Sequence, residues 1–163
     1  DILKELLFKF YINMKNIFTK EITEGVVARI EDLTSQTQPI WGKMSVAQML
    51  AHCCVTYEVV YTDKHPRPNA FTRFLMKTLI KNIVTSEKPY FKNGRTARQY
   101  LIVEEKEFEL EKKRLIDFII KTQQLGEQEF EGKESHSFGK LTAKEWNNLF
   151  YKHVDHHLRQ FGV

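Results

Sequence analysis

Two histidines one helical turn apart, His153 and His157, lie in the apolar C-terminal segment of the chain. At about 100° per residue the apolar residues around them form one helical stripe, with His157 at its centre and His153 at its edge. Imidazoles on a buried face need partners, because an unpaired polar group in an apolar interior costs a few kcal/mol. Residues four apart on a helix have Cβ atoms about 5–6 Å from each other, so the pair predicts half of a site for a cation such as zinc.

Alternatively, two inward histidines can be core residues that form hydrogen bonds. The pattern alone does not distinguish such core residues from metal ligands. A third ligand would favour metal binding, and the chain offers three candidates, His52, His65 and His136. His156 falls towards the polar edge of the same stripe. It is therefore expected on the surface or beside the site.

Length, cysteine content and charge limit the function classes. A chain of 163 residues predicts one domain, and two adjacent cysteines give no disulfide framework, which suits a cytoplasmic location. Cys53 is either a reactive thiol beside His52 or, as we favour, a small buried apolar residue. The net charge of +4 is not gathered into a basic stripe, and the densest cationic stretch, 92–98, carries no nucleic-acid motif. We expect no nucleic-acid partner.

Nothing in the sequence predicts a membrane partner or a signal peptide. No apolar run reaches the 18 residues of a membrane span, and charges interrupt the apolar opening segment. Met14 would make a natural start. We therefore treat residues 1–13 as an N-terminal extension that can lie outside the domain, and 14–163 as the single domain.

Helical spacing predicts four principal helices and hence an all-α four-helix bundle. Sequences typical of helix caps precede three of these helices, at Ser45, Thr96 and Thr142. The expected spans are 19–36, 45–61, 96–125 and 142–161. His52 falls at the edge of the apolar face of the second helix, so its position alone does not make it a ligand.

A short amphipathic helix is expected over 70–84, within one long crossover connection. It is either a membrane-surface helix or substrate lid, or an ordinary element covering the bundle, and we favour the last. The charged residues of the long helix that follows are interpreted as its solvated face.

Three stretches together resemble the DinB-like, or YfiT-like, superfamily of metalloenzymes, in a branch described as a domain of unknown function. They are 41–53 (WGKMSVAQMLAHC), 136–142 (HSFGKLT) and 153–162 (HVDHHLRQFG). The resemblance implies a four-helix bundle in which His52, His153 and His157 bind a divalent metal ion, zinc or nickel. His136 is expected beside the site or on the surface and could still reach the mouth of the site, although Ser137 stands where relatives tend to carry proline after this histidine.

Two functions from different classes are open, and the resemblance implies the first. Three imidazoles leave one coordination position open, at which a water can ionise or a thiol can bind, as in a metal-dependent hydrolase or thiol S-transferase acting on a small molecule. The alternative is a non-catalytic, metal-binding or ligand-binding bundle of the stress response, because no general base is evident beyond His156 or His136. Homodimers are common in the superfamily, and a stripe on the first helix or on 70–84 could form the interface.

Overall fold

The structure of the protein is a computed structural model that describes residues 14–163. The N-terminal extension predicted at 1–13 lies outside the described residues. Seven α-helices and one two-stranded antiparallel sheet occur in the described range: α1 (Lys20–Glu31), α2 (Val46–Tyr61), α3 (Ala70–Leu75), α4 (Lys81–Thr85), α5 (Phe108–Leu125), α6 (Glu127–Phe130), β1 (Glu134–Ser135), β2 (Gly139–Lys140) and α7 (Ala143–Gln160).

The four long helices α1, α2, α5 and α7 pack around one core. Helix α5 contacts α1 and α2, and α7 closes the ring by contacting both α2 and α1. The core is formed by the apolar stripes of these helices, which remove their side chains from water; its fully buried members include Ile30, Leu50, Leu115, Ile119 and Phe150. The predicted all-α four-helix bundle is confirmed.

Capping boxes start the two helices that carry the predicted ligands. The Ser45 hydroxyl accepts a hydrogen bond from the Gln48 amide, and the Gln48 side chain accepts one from the Ser45 amide. Thr142 and Glu145 form the same reciprocal pair at the start of α7. Each box satisfies two amides that have no partner within the helix. Both predicted helix starts are confirmed.

Helix α1 is shorter than its apolar periodicity predicts. It ends at Glu31 rather than near Gln36, because the side chain of Thr37 accepts a hydrogen bond from the Thr34 amide. Hydroxyl side chains that bond to nearby backbone offer the chain an alternative to the helix.

The helix predicted over 96–125 begins late. Arg98–Tyr100 forms a single 3₁₀ turn, and α5 starts only at Phe108, where the Glu107 carboxylate caps the Leu110 amide. The β-branched residues Ile102 and Val103 in the intervening stretch disfavour a helix. The carbonyl of Val103 also accepts a hydrogen bond from the side chain of Gln48. The predicted cap at Thr96 is wrong.

The crossover connection between α2 and α5 contains α3, a π-helical turn (Met76–Ile80) and α4. The element lies against the bundle, where α4 contacts α7, but part of its apolar face points outward: Phe71, Phe74 and Leu79 are more than 60% exposed. Arg73 and Lys81 instead form ion pairs that join the crossover to the domain, with Glu134 and Glu145 respectively. Within residues 14–163 no helix combines the length and apolarity needed to cross a bilayer.

A fully buried lysine attaches the end of α4 and the residues after it to α7. The Lys152 ammonium donates to the carbonyls of Ile83, Ser86 and Lys88 at 2.7, 2.5 and 3.1 Å. It also lies 4.6 Å from the centroid of the Tyr90 ring. Burial lowers its pKa to about 8. All three ammonium protons have acceptors, so the charge is compensated by peptide dipoles.

Lys152→Met should lower the free energy of unfolding by about 2–4 kcal/mol, because three buried carbonyls lose a charged donor that each hydrogen-bonds strongly. Urea denaturation measures the change. Lys144→Met is the matched control on the same helix: its side chain is 72% exposed, so the loss should stay below about 1 kcal/mol. Equal losses in the two variants would contradict this account of the crossover.

Candidate metal centre

The site forms where α2 packs against α7. His52 lies in the first half of α2, and His153 and His157 lie in the second half of α7. Because the capping boxes set where each helix begins, they also set which residues face the partner helix. His52 and His157 are buried, whereas His153 and His156 are partly accessible.

The three histidines predicted as ligands come together. Their ring centroids are separated by 4.9 Å for His52 and His153, 4.6 Å for His52 and His157, and 4.9 Å for His153 and His157. One ligand atom of each lies within 4.8 Å of the others, so that the group could hold a metal ion. His52 thus reaches the cluster from the edge of its helix face, as the resemblance implied.

Hydrogen bonds orient the first two rings. The Nδ1 atom of His52 is 2.8 Å from the carbonyl oxygen of Tyr100, which can only accept, so Nδ1 carries the proton and Nε2 a lone pair. The Nδ1 atom of His153 is 2.9 Å from the Thr56 hydroxyl. The two Nε2 atoms face each other at 2.9 Å. That approach requires a proton or a cation between the two nitrogens.

The third ring is oriented by Gln160. Its amide nitrogen donates to the carbonyl of Trp41 at 2.7 Å, which leaves Oε1 to accept from Nδ1 of His157 at 2.7 Å. The remaining nitrogen, Nε2 of His157, therefore also carries a lone pair. Partners of this kind fix the tautomer and orientation of imidazoles that bind metals.

A glycine permits the Gln160 contact. Gly42 has φ +86°, and a Cβ atom there would lie 2.5 Å from Nε2 of Gln160. Only a residue without a side chain tolerates both the left-handed backbone and this approach. The Ile40 amide additionally donates to the Gln160 carbonyl at 2.7 Å. The loop before α2 is thus fastened to the end of α7.

The cluster keeps its imidazoles neutral. Burial is the main cause that lowers the pKa of each ring, and for His153 and His157 the positive charge that a neighbouring histidine would carry adds to the effect. The pKa of His157 falls to about 3 and that of His153 falls well below its usual value. Near pH 7 the rings therefore offer lone pairs rather than charges.

Aromatic side chains and one lysine surround the accessible side of the cluster. His156 packs edge to face against Trp41, Tyr90 and His157, at centroid distances of 5.8, 5.6 and 5.1 Å. The Lys92 ammonium lies 4.3 Å over the Trp41 ring. His156 is thus beside the cluster, as predicted from its place on the helix.

The remaining candidates lie elsewhere. His136 is carried by the turn between β1 and β2, near His65 and Arg67, and not at the mouth of the cluster. His65 binds the buried Glu58 carboxylate through Nε2 at 2.7 Å. Cys53 is buried, and burial raises the pKa of its thiol well above the usual value. It is therefore an apolar core residue, the interpretation that we favoured.

Sequence reasoning did not assign Thr56, Tyr100 and Gln160 to the site. Two of them could have been predicted from their spacing. Thr56 is four residues after His52 and Gln160 is three after His157, and such positions share a helix face. Tyr100 contributes a backbone carbonyl from a turn in the crossover, and its ring packs edge to face against His52 and His153. No local sequence pattern marks such a contact.

Acid should destabilise the metal-free protein through these rings. Below pH 6.5 the unfolded chain binds a proton at position 157 that the folded chain does not, so stability falls as the pH falls. Between pH 7 and 4.5 His157 alone should cost about 2–3 kcal/mol. Urea denaturation should show that His157→Gln removes this part of the loss. Parallel pH profiles for the two proteins would contradict a depressed pKa.

Comparison with known proteins gives one family. The model of a family described as "Protein of unknown function (DUF1569)" matches residues 15–162. No curated protein and no solved structure matches the chain.

Proposed function

Because the match spans almost the whole chain, the protein belongs to the DUF1569 family, and we propose that it is a metal-dependent enzyme of the DinB-like superfamily. In this proposal His52, His153 and His157 hold a divalent ion, zinc or nickel, and the protein acts as a hydrolase or thiol transferase on a small molecule. The arrangement of one histidine on the second long helix and two on the last, in a four-helix bundle, supports the superfamily assignment.

The observation that carries the proposal is the convergence of three oriented imidazoles. Two of the three Nε2 atoms bear lone pairs, as the partners of Nδ1 require, and nitrogen ligands suit zinc and nickel. A buried group of lone pairs without a proton or cation among them would be unfavourable. The donor set therefore fits a divalent ion better than it fits an empty core.

The residues around the cluster supply what such a site needs. The Tyr100 carbonyl, the Thr56 hydroxyl and the Gln160 amide hold the rings in place. A bound ion of this kind acts as a Lewis acid and lowers the pKa of a water or thiol beside it. His153 is the partly accessible member of the cluster, and Tyr90 lies beside it with a ring-centroid distance of 6.5 Å. In this proposal a small molecule approaches the ion from that side.

A non-catalytic metal-binding bundle is the second candidate. It is favoured by the hydrogen-bond partners of the cluster, which are a carbonyl, a hydroxyl and an amide. None of these three partners is a carboxylate. Among the described residues, His156 is the nearest group that could transfer a proton. The lowered pKa of His156, caused mainly by burial, keeps that ring neutral and able to accept one.

Metal content tests the ligand set. Protein purified without a metal-affinity tag and supplied with zinc should hold one ion per chain by native mass spectrometry. Single alanine variants of His52, His153 and His157 should each weaken zinc binding by more than the roughly 100-fold that loss of an orienting partner can cost.

His156→Ala is the matched control, because it removes a neighbouring imidazole from the same helix. It should retain the ion at full stoichiometry. Loss of zinc from His156→Ala, or its retention by any of the three ligand variants, would refute the assignment.

Access to the bound ion separates the enzyme from the non-catalytic bundle. In protein loaded with cobalt(II), addition of 2-mercaptoethanol should change the visible absorption and produce a thiolate-to-metal band, because an open position accepts the thiol. A spectrum that the thiol leaves unchanged would indicate a closed site and favour the second candidate.

A further inference from the structure

A cavity separate from the histidine cluster lies between the C-terminal half of α2 and the N-terminal half of α7. Its volume is about 220 Å³, room for about seven waters at roughly 30 Å³ each. The loop that follows α2 and the β1–β2 turn close its sides. None of the three clustered histidines lines it.

Thr56 and Tyr100 form the wall between the two sites. Thr56 contacts Nδ1 of His153, whereas Nε2 of that ring points towards His52. The cavity therefore adjoins the side of His153 that is turned away from the ligand atoms. A molecule bound in it would not replace a ligand of the metal centre, so this site goes beyond the function proposed above.

One side of the cavity is rich in nitrogen donors. His136 has a buried Nδ1 atom without a hydrogen-bond partner. Arg67 lies on the same side; its guanidinium reaches Glu134 only at 4.0 Å, and Glu134 binds Arg73 more closely, at 2.8 Å. Burial, followed by the nearby positive charge of Arg67, lowers the pKa of His136.

Three carboxylates lie near this side, and that of Asp63 raises the pKa of His136 by less than Arg67 lowers it. Glu58 is already bound to Lys64, His65 and Arg114, and Glu134 is held by Arg73. A buried polar atom without a partner is uncommon in folded proteins. The unpaired Nδ1 of His136 is thus available to a ligand in the cavity, and the positive charge of the half-exposed Arg67 guanidinium beside it favours an anionic one.

The opposite side of the cavity is apolar. Val60 of α2, Met76 of the crossover, and Trp146 and Leu149 of α7 line it. The Trp146 indole nitrogen already donates to the Lys133 carbonyl at 3.2 Å, so this wall offers apolar surface. An apolar wall facing a few convergent polar groups is the usual form of a small-molecule site.

We propose that this cavity binds a small organic carboxylate with an apolar body. The carboxylate accepts hydrogen bonds from Nδ1 of His136 and from the Arg67 guanidinium, and the apolar body packs against Val60, Met76 and Trp146. A carboxylate matches the fork of an arginine and supplies the acceptor that His136 lacks. The volume admits a single substituted ring and excludes a folded segment of another protein.

Benzoate is the probe, and benzamide, which has nearly the same shape without the charge, is its matched neutral control. The full chain, treated with a chelator, is titrated with each and followed through the NMR signals of the histidine rings. This choice makes the result independent of whether the histidine cluster binds a metal. Benzoate should bind at least tenfold more tightly than benzamide and should shift the His136 signals.

Two variants test the polar contacts. Arg67→Gln and His136→Gln should each weaken benzoate binding about tenfold, as expected for loss of a hydrogen bond to a charged group, and leave benzamide binding within twofold. Both residues are only partly buried, so folding should survive. Lys20→Gln, which makes the same charge change at a side chain 80% exposed, should leave benzoate binding unchanged.

Three results would overturn the proposal. They are equal affinities for benzoate and benzamide, a loss in Lys20→Gln as large as that in Arg67→Gln, and His136 signals that do not respond to benzoate. The first would show that no anion is recognised. The second would reduce the effect to net charge, and the third would place the ligand elsewhere.

Discussion

Three neutral imidazoles between two packed helices impose the constraint on which the rest of this structure depends. Each ring has one nitrogen that donates and one that accepts, and neither can remain unpaired in the core without a cost of about 1–3 kcal/mol. The Nδ1 atom of each ring has its own hydrogen-bond partner: the Thr56 hydroxyl of α2, the Gln160 amide of α7 or the Tyr100 carbonyl of the crossover. What remains is a set of inward nitrogen lone pairs, and these define the site.

The crossover between α2 and α5 is therefore part of the site. Its 3₁₀ turn supplies the carbonyl that orients His52, and its middle part, at and after the end of α4, is attached to α7 by the three hydrogen bonds of Lys152. Tyr90, next to that part, lies between Lys152 and the rings of His153 and His156. An apolar helix face would more commonly hold such a connection. Here ion pairs and hydrogen bonds hold it, and the side chains of Phe71 and Phe74 are exposed to solvent.

The sequence was sufficient for the features that depend on local pattern. Helical periodicity and two capping boxes predicted α2 and α7 with correct starts, and the spacing of His153 and His157 predicted that both rings face one partner. His52 was a weaker case, because its wheel position left it at an edge. The family resemblance, and not periodicity, identified it as the third member of the cluster.

Other features depended on contacts that no local pattern reveals. The start of α5 moved from Thr96 to Phe108 because distant groups on α2 use the carbonyls of Tyr100 and Val103. The crossover helix turned its charged side to the bundle because Glu134 and Glu145 lie there, far away in sequence. His136 was expected beside the cluster or on the surface, and a short hairpin places it at a separate cavity. Such pairings become predictable only after the packing of the long helices is known.

A crystal structure of the zinc-loaded protein, with anomalous data collected on both sides of the zinc edge, tests the central claim most directly. The account predicts one strong anomalous peak per chain, about 2.0–2.1 Å from Nε2 of His52, His153 and His157, with the Nδ1 partners unchanged. A peak at another group of side chains, or coordination through Nδ1 with the Tyr100, Thr56 and Gln160 contacts broken, would contradict it.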